Sequence, residues 1–338
     1  MEKEEYIQKE SFFKIRSYTS CFKKGFELYI RNFKLIFKLL WLPMLFSALT
    51  LTVIIYFTQT AFQTNNITTI SPSIIIIGGI FSILWFLSYS FKFGTLFTIF
   101  NKYKEEGFIP KTSFKALKND IFHYSCRSFI LCFWIILYWI ITIAIILSVI
   151  FALQYGLGVH CTIGVIKFLL FLTIIINFII CVIPMEFVGM RYLMGNEGFF
   201  KSFIKSYKIA LRHWGVIFAL VLITSIVTIG ISIILNMPES ILLTVKRMSI
   251  ASVEFGDTSG LPQGFVFFSL LVLFLCSFLQ VNVSLAYYFP MLFQYASIET
   301  DNQERENLIK LNAKEDYDTM ASLTNKKKDE KENLIYRS

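Results

Sequence analysis

FILCFWIILYWIITIAIILSVIFAL, residues 129–153, is a run of 25 residues without a charge. At about 1.5 Å per residue, a helix of that length crosses the ~30 Å of hydrocarbon in a bilayer. Five more stretches read the same way: 39–57, 74–91, 168–185, 214–235 and 265–293, each with 18 or more residues and no charge. Six spans of this kind predict an all-α polytopic membrane bundle.

The cations give it an orientation. Lys and Arg in the seven segments around the spans number 8, 0, 6, 0, 5, 2 and 8, with Lys38, Lys92 and Lys167 at span edges. Positive charge is retained on the cytoplasmic side, so both termini are expected inside, in a multi-pass integral membrane protein. Residues 1–34 are too long and too acidic at their start for a signal peptide, and no small-residue cleavage site follows. The first span is therefore expected to be retained. Three parts follow: a cytoplasmic segment with an amphipathic helix (1–34), the six-span domain (35–296), and a charged tail (297–338). The tail has few aromatic residues and is expected to be largely disordered.

Composition supports this class and excludes others. At 55% hydrophobic residues and mean hydropathy +0.62, the apolar material is membrane span rather than a water-excluded core. The net charge of +9 follows the cytoplasmic loops, where it sets topology and faces anionic lipid. No nucleic-acid motif accompanies it, so no nucleic-acid partner is expected. Of the six cysteines, only Cys161 reaches the outer face on this topology. Without an outward partner, and with no CxxC motif, free structural thiols are expected.

Three segments mix aromatic residues with Lys and Arg. In 11–34, Phe22, Phe26, Tyr29 and Phe33 share one helical face, while Lys23, Lys24, Glu27 and Arg31 point largely away from it. Residues 113–127 and 199–213 have the same character. All three are expected as interfacial helices on the cytoplasmic face, where Lys23, Lys24, Lys201, Lys205 and Lys208 would meet anionic headgroups.

Two of these segments align. Phe22-Lys23-Lys24-Gly25-Phe26 matches Phe203-Ile204-Lys205-Ser206-Tyr207, and at the same offset Arg31-Asn32-Phe33 matches Arg212-His213-Trp214. A weaker copy lies near Phe114 and His123-Tyr124. The returning spans also correspond, at Lys92-Phe93-Gly94, Glu186-Phe187-Val188-Gly189 and Tyr288-Phe289-Pro290. The unit read from this is an interfacial helix, an outgoing span, a short outer loop and a returning span, repeated three times. Chance similarity within a low-complexity apolar sequence is the competing reading. The third outer loop, 236–263, is expected to hold one short helix over 239–250.

Charged and amide groups inside spans are the default functional candidates, because charge in hydrocarbon is costly. Lys92 and Glu186 fall at similar depth near the cytoplasmic ends of the second and fourth spans. Two arrangements are open: they pair across the bundle, or Lys92 reaches the headgroups while Arg191 or water satisfies Glu186. Asn177, Gln280 and Asn282 lie deeper and read either as bridges between helices or as part of a substrate pathway. Pro43, Pro184 and Pro290 are expected to kink their spans. Catalytic signals are absent: there is no P-loop, GxGxxG, nucleophile elbow or paired acidic motif. His123, His160 and His213 fall on opposite sides of the membrane, so no metal site is expected, and no cofactor either. Asn66-Ile67-Thr68 is a glycosylation sequon on an outer loop.

One resemblance can be placed on residues. A returning span ends in Pro184-Met185-Glu186. Gly195 and Glu197 follow, then Phe199-Phe200-Lys201-Ser202-Phe203, Ser206, Ala210, Leu211 and His213-Trp214. The last span exits through Tyr287-Tyr288-Phe289-Pro290, Gln294, Ser297, Glu299 and Leu308. This resembles the six-span membrane-domain superfamily that includes the membrane domain of glycerophosphoryl diester phosphodiesterase and uncharacterised bacterial integral membrane proteins. It covers residues 18–311. It implies a six-helix membrane domain, a bacterial inner-membrane location and no catalytic residue. The phosphodiesterase barrel needs roughly 200 soluble residues or more, for which the sequence has no room. The function expected is non-enzymatic: organising lipids or an unidentified partner protein at the cytoplasmic face. A small-molecule or lipid transporter or channel is the alternative.

Overall fold

The computed structural model describes residues 12–63, 72–109, 111–112, 114–152, 163–195, 197–255 and 261–335. Ten α-helices carry the described chain: α1 (Tyr18–Arg31), α2 (Phe33–Gln63), α3 (Pro72–Glu106), α4 (Lys118–Phe151), α5 (Ile163–Asn177), α6 (Ile183–Met194), α7 (Phe199–Arg212), α8 (Trp214–Glu254), α9 (Phe265–Ala286) and α10 (Tyr288–Ile335). A π-helical turn, Phe178–Val182, joins α5 to α6. No strand occurs among the described residues.

Six stretches are long and apolar enough to span a membrane: Phe33–Gln59, Ile76–Glu106, Lys118–Val149, Phe171–Met194, Trp214–Ser249 and Phe265–Asn312. The chain is thus an all-α six-span bundle. The spans differ in how far they are enclosed. In the first, 44% of the apolar window is buried, against 6% in the third, so α2 is central and α4 peripheral.

Packing is concentrated at one end. Leu40 and Met44 of α2 share one buried cluster there with Leu96, Phe97 and Phe100 of α3, Ile183 and Phe187 of α6, and Phe289 and Leu292 of α10. Phe289 is its hub, with its ring centroid 5.0 Å from Phe100 and 5.1 Å from Tyr29. Toward the other end, large apolar side chains such as Ile143, Leu147, Ile174 and Ile233 are exposed. Lipid covers such a surface as readily as protein does, so these halves need no tight packing.

Three elements differ from the sequence expectation. Residues 113–127 do not form a separate interfacial helix. A turn at Phe114–Leu117 leads into α4, which runs unbroken into the third span. No residue there breaks the helix as Asn32 and His213 do elsewhere. Residues 239–250 are no separate short helix either. They continue α8 through Pro238 to Glu254. Finally, the segment expected as a largely disordered tail is helical to Ile335. Ser297 and Asn302 are still buried in the bundle, so that helix is nucleated by packing, and adding further turns is cheap. The boundary drawn at 296/297 therefore falls inside one helix. His160, Cys161 and the sequon at 66–68 lie outside the described residues.

Candidate functional site

The most elaborately built region lies at the densely packed end, where α1 and α7 dock. Each helix stops one residue before a span begins. At Asn32 (φ −108°, ψ 13°) and His213 (φ −102°, ψ 19°) the chain bends and restarts as α2 and α8. The hydrogen bonds match residue for residue. Asn32 N–H donates to Leu28 O at 3.2 Å, and Leu35 and Ile36 N–H donate to Asn32 O at 3.0 Å. At the aligned positions His213 donates to Ile209 O, and Val216 and Ile217 donate to His213 O, all at 3.1 Å. Both helices dock through small side chains, Cys21 and Gly25 in α1 and Ser202 and Ser206 in α7, again at aligned positions. Small residues four apart let backbones approach closely. A Cβ on Gly25 would lie 2.3 Å from the Pro290 nitrogen, and one on Gly94 would lie 2.5 Å from Ser125 Cα. So α1 seats on α10, the start of α4 on α3, and α7 on α6.

Around helix α7 the side chains divide into three sectors. Ser202, Ser206, Ile209 and Ala210 are buried. Phe200 (63% exposed), Ile204 (74%) and Leu211 form an apolar stripe outside the bundle. Lys201, Lys205, Lys208 and Arg212 form a second exposed stripe, one residue further on and so about 100° around the axis. Tyr207 and Trp214 reach back into the fourth span. Pro184 has no N–H, so one carbonyl of the preceding turn, Ile180 O in α-geometry or Ile179 O in π-geometry, loses its donor. The Tyr207 hydroxyl donates to Ile180 O at 2.9 Å and Trp214 Nε1 to Ile179 O at 3.0 Å. In the last span the Tyr29 hydroxyl of α1 donates to Asn282 O at 3.3 Å.

Cations secure the same end. Arg191 holds Glu299 with Nε–Oε2 at 3.1 Å and Nη2–Oε1 at 3.3 Å, and reaches Ser206 Oγ at 3.3 Å. Both side chains of this pair are largely buried, so the bidentate geometry matters. Lys104 donates to Met194 O at 3.3 Å, while Arg127 donates to Tyr192 O and to Glu197 O. The C-terminus of α6 thus receives two positive charges, where the helix dipole favours them. His213 Nε2 lies 3.4 Å from Asp301 Oδ2, and burial holds the imidazole below its ordinary pKa. Burial likewise pushes the Cys21 thiol up to about 11. Beside α1, a depression of about 870 Å³ is lined by Arg16, Lys24, Arg31 and Lys111, with Glu27 and Glu106.

A second cavity, of about 350 Å³, lies between α3, α4 and α6, with Tyr288 of α10 in its wall. Glu186 is the charged residue in its wall, set among Trp85, Tyr89, Tyr138, Trp139 and Tyr288. Tyr287 lies beside the Glu186 carboxyl group. Lys92 stands behind this wall, 2% exposed, with Nζ 4.5 Å from the Tyr89 centroid and 5.4 Å from that of Phe93. Neither arrangement expected for Lys92 and Glu186 is found. No ion pair joins them among the described residues, Lys92 does not reach the surface, and Arg191 is committed to Glu299 instead. Lys92 is buried, and the aromatic faces of Tyr89 and Phe93 on its own helix take the ammonium instead.

The five intramembrane candidates do not form one cluster. Lys92 and Glu186 flank the cavity. Asn177 sits one helical layer away, with its Oδ1 accepting from the Tyr138 hydroxyl at 2.5 Å. Gln280 joins α9 to α8 through Ser232 Oγ at 2.7 Å, and Asn282 bonds the Phe278 carbonyl of its own helix at 2.8 Å. The basic residues Lys23, Lys201, Lys205 and Lys208 are exposed, and Lys24 is half-buried beside the depression. Sequence reasoning missed the aromatic wall, Tyr287, and the carbonyl caps from Tyr207 and Trp214. Pro184 was the one local signal that carbonyls would need donors. Among the described residues no three His, Cys, Asp or Glu side chains could hold a metal ion. No protein family, curated protein or solved structure matches the chain.

Proposed function

We propose that the protein is a non-enzymatic membrane protein that gathers anionic lipid, or a partner protein, on its basic face, and that this face is cytoplasmic. The observation that carries the reading is the division of α7 into three sectors. A helix with only one apolar face could bury it in the bundle. Helix α7 uses small residues for docking and keeps a second apolar stripe outside, directly beside a row of four cations. That pairing suits a bilayer boundary: Phe200, Ile204 and Leu211 enter the acyl region and the cations meet phosphates. The depression beside α1, with four cations and two carboxylates, suits the same headgroups. A bacterial inner membrane and membership of the phosphodiesterase membrane-domain superfamily belong to this proposal.

The test is Lys201→Glu, Lys205→Glu and Lys208→Glu together, reconstituted in neutral and in anionic bilayers. Each lysine near an anionic surface contributes about 1 kcal/mol, so the triple variant is expected to lose its preference for anionic lipid and to misorient the fifth span. Normal topology with unchanged lipid preference would sink the proposal.

Transport of a small molecule or lipid is the second reading, favoured by the cavity beside Glu186. Its lining includes neither Asn177 nor Asn282, the amides a path across the bundle would use.

A further inference from the structure

We propose that the cavity between α3, α4 and α6 is a binding site for a lipophilic ammonium ion, the ammonium held by Glu186 and aromatic rings and its alkyl chain lying in the apolar remainder. This is independent of the basic-face proposal, which concerns a different surface and the opposite charge.

Lys92 is screened behind Tyr89 and Phe93 and does not line the cavity, so the charge a ligand meets is the Glu186 carboxylate. A carboxylate in a largely apolar space needs donors or a counter-charge. Tyr287 stands beside it as a hydroxyl donor, and among the described residues no lysine or arginine forms an ion pair with it. The walls add the second requirement. Trp85, Tyr89, Tyr138, Trp139 and Tyr288 present ring surfaces, and aromatic faces attract cations most strongly when water is excluded. Tyr89 of this wall already has one ammonium over its ring, that of Lys92. Ser128 adds an unexplained polar group: it lines the cavity, is 1% exposed, and its hydroxyl has no hydrogen-bond partner among the described residues.

The ligand's tail follows from the rest of the lining. Leu131, Ile135 and Met190 are apolar, and Ile136 and Trp139 are exposed on the apolar outer surface of the third span. The mouth therefore opens toward acyl chains, so the ligand arrives from the bilayer. The volume matches that of small-ligand sites, which are mostly apolar with a few placed polar groups.

Binding is read by quenching of tryptophan fluorescence in the full chain in nonionic micelles, since Trp85 and Trp139 stand in the wall. The probe is 11-bromoundecyl-trimethylammonium, compared with 11-bromoundecanol and 11-bromoundecyl sulfate. The expected result is saturable quenching by the ammonium at a concentration about tenfold below that for the alcohol, with the sulfate weaker still. Glu186→Gln is expected to remove the advantage of the ammonium and leave the alcohol unchanged. Ser128→Leu, which fills the space without touching the charge, is expected to weaken all three. Equal affinity for ammonium and alcohol in the wild type, which requires no variant to fold, overturns the proposal. So does an ammonium affinity unaffected by Glu186→Gln. Two sources share this chemistry. Displacement of the probe by added phosphatidylethanolamine or phosphatidylcholine assigns the site to a lipid headgroup, whereas binding that these lipids do not displace assigns it to a free amphiphilic amine.

Discussion

His213 shows how one residue can serve a hinge and carry a liability. It occupies the position of Asn32, and both make the same backbone bonds. The imidazole, however, is packed against α10, where Asp301 favours its protonation while burial, Arg305 and Arg212 oppose it. Burial has the largest effect, so the folded pKa lies below the ~6.5 of an unfolded chain. Above about pH 6.5 both states are neutral there and nothing is lost. As pH falls further, the unfolded chain takes up the proton first, and stability drops until the folded pKa is passed. Thermal unfolding in micelles at pH 7.5 and 5.5 should therefore show a larger acid-side loss for the wild type than for His213→Asn, which copies the hinge at Asn32. An identical loss in both proteins would place the acid sensitivity elsewhere.

At the level of elements, the fourth span is the informative one. Its apolar run and its proline are plain in the sequence, and a kink follows from them. The π-helical turn and its two donors are not plain, because Tyr207 and Trp214 lie beyond the span and read as ordinary interfacial aromatics. The same holds for docking. The aromatic face of α1 is legible by its spacing, yet Cys21 and Gly25 make the closest approach, and small residues carry little pattern in a chain this apolar. A double-mutant cycle tests the link between Pro184 and its caps. Trp214→Phe alone is expected to cost about 1 kcal/mol, that of a hydrogen bond left unmade. In a Pro184→Ala background the backbone regains an N–H for one of the two carbonyls, so the same change should cost measurably less. Equal costs in both backgrounds would reduce Trp214 to a packing residue.

For the molecule as a whole, the six spans were legible because crossing hydrocarbon imposes a length and a polarity that any sequence must display. The arrangement of the spans was not, since apolar faces are interchangeable and lipid competes with protein for them. What the structure adds is a cyclic order. The start of α4 docks on α3, α7 on α6, and α1 on α10, so the first amphipathic segment closes onto the last returning span. The equivalent positions Lys92, Glu186 and Tyr288 then gather around Tyr89 and the cavity. This order places all three docking segments on one end of the bundle, the end we propose to be cytoplasmic from the charge distribution. Accessibility to a membrane-impermeant maleimide tests that assignment without disturbing the core. Cys126 is exposed at the basic end, whereas Cys21 is buried and its thiol is held in the unreactive protonated form. A chain keeping only Cys126 should label after permeabilisation alone. A chain lacking native thiols and carrying Ser240→Cys, at an exposed position on α8 beyond Pro238, should label in intact cells. The reverse pattern would invert the molecule in the membrane. It would place the lysines of α7 on the outer leaflet and leave the lipid-gathering proposal without its cytoplasmic surface.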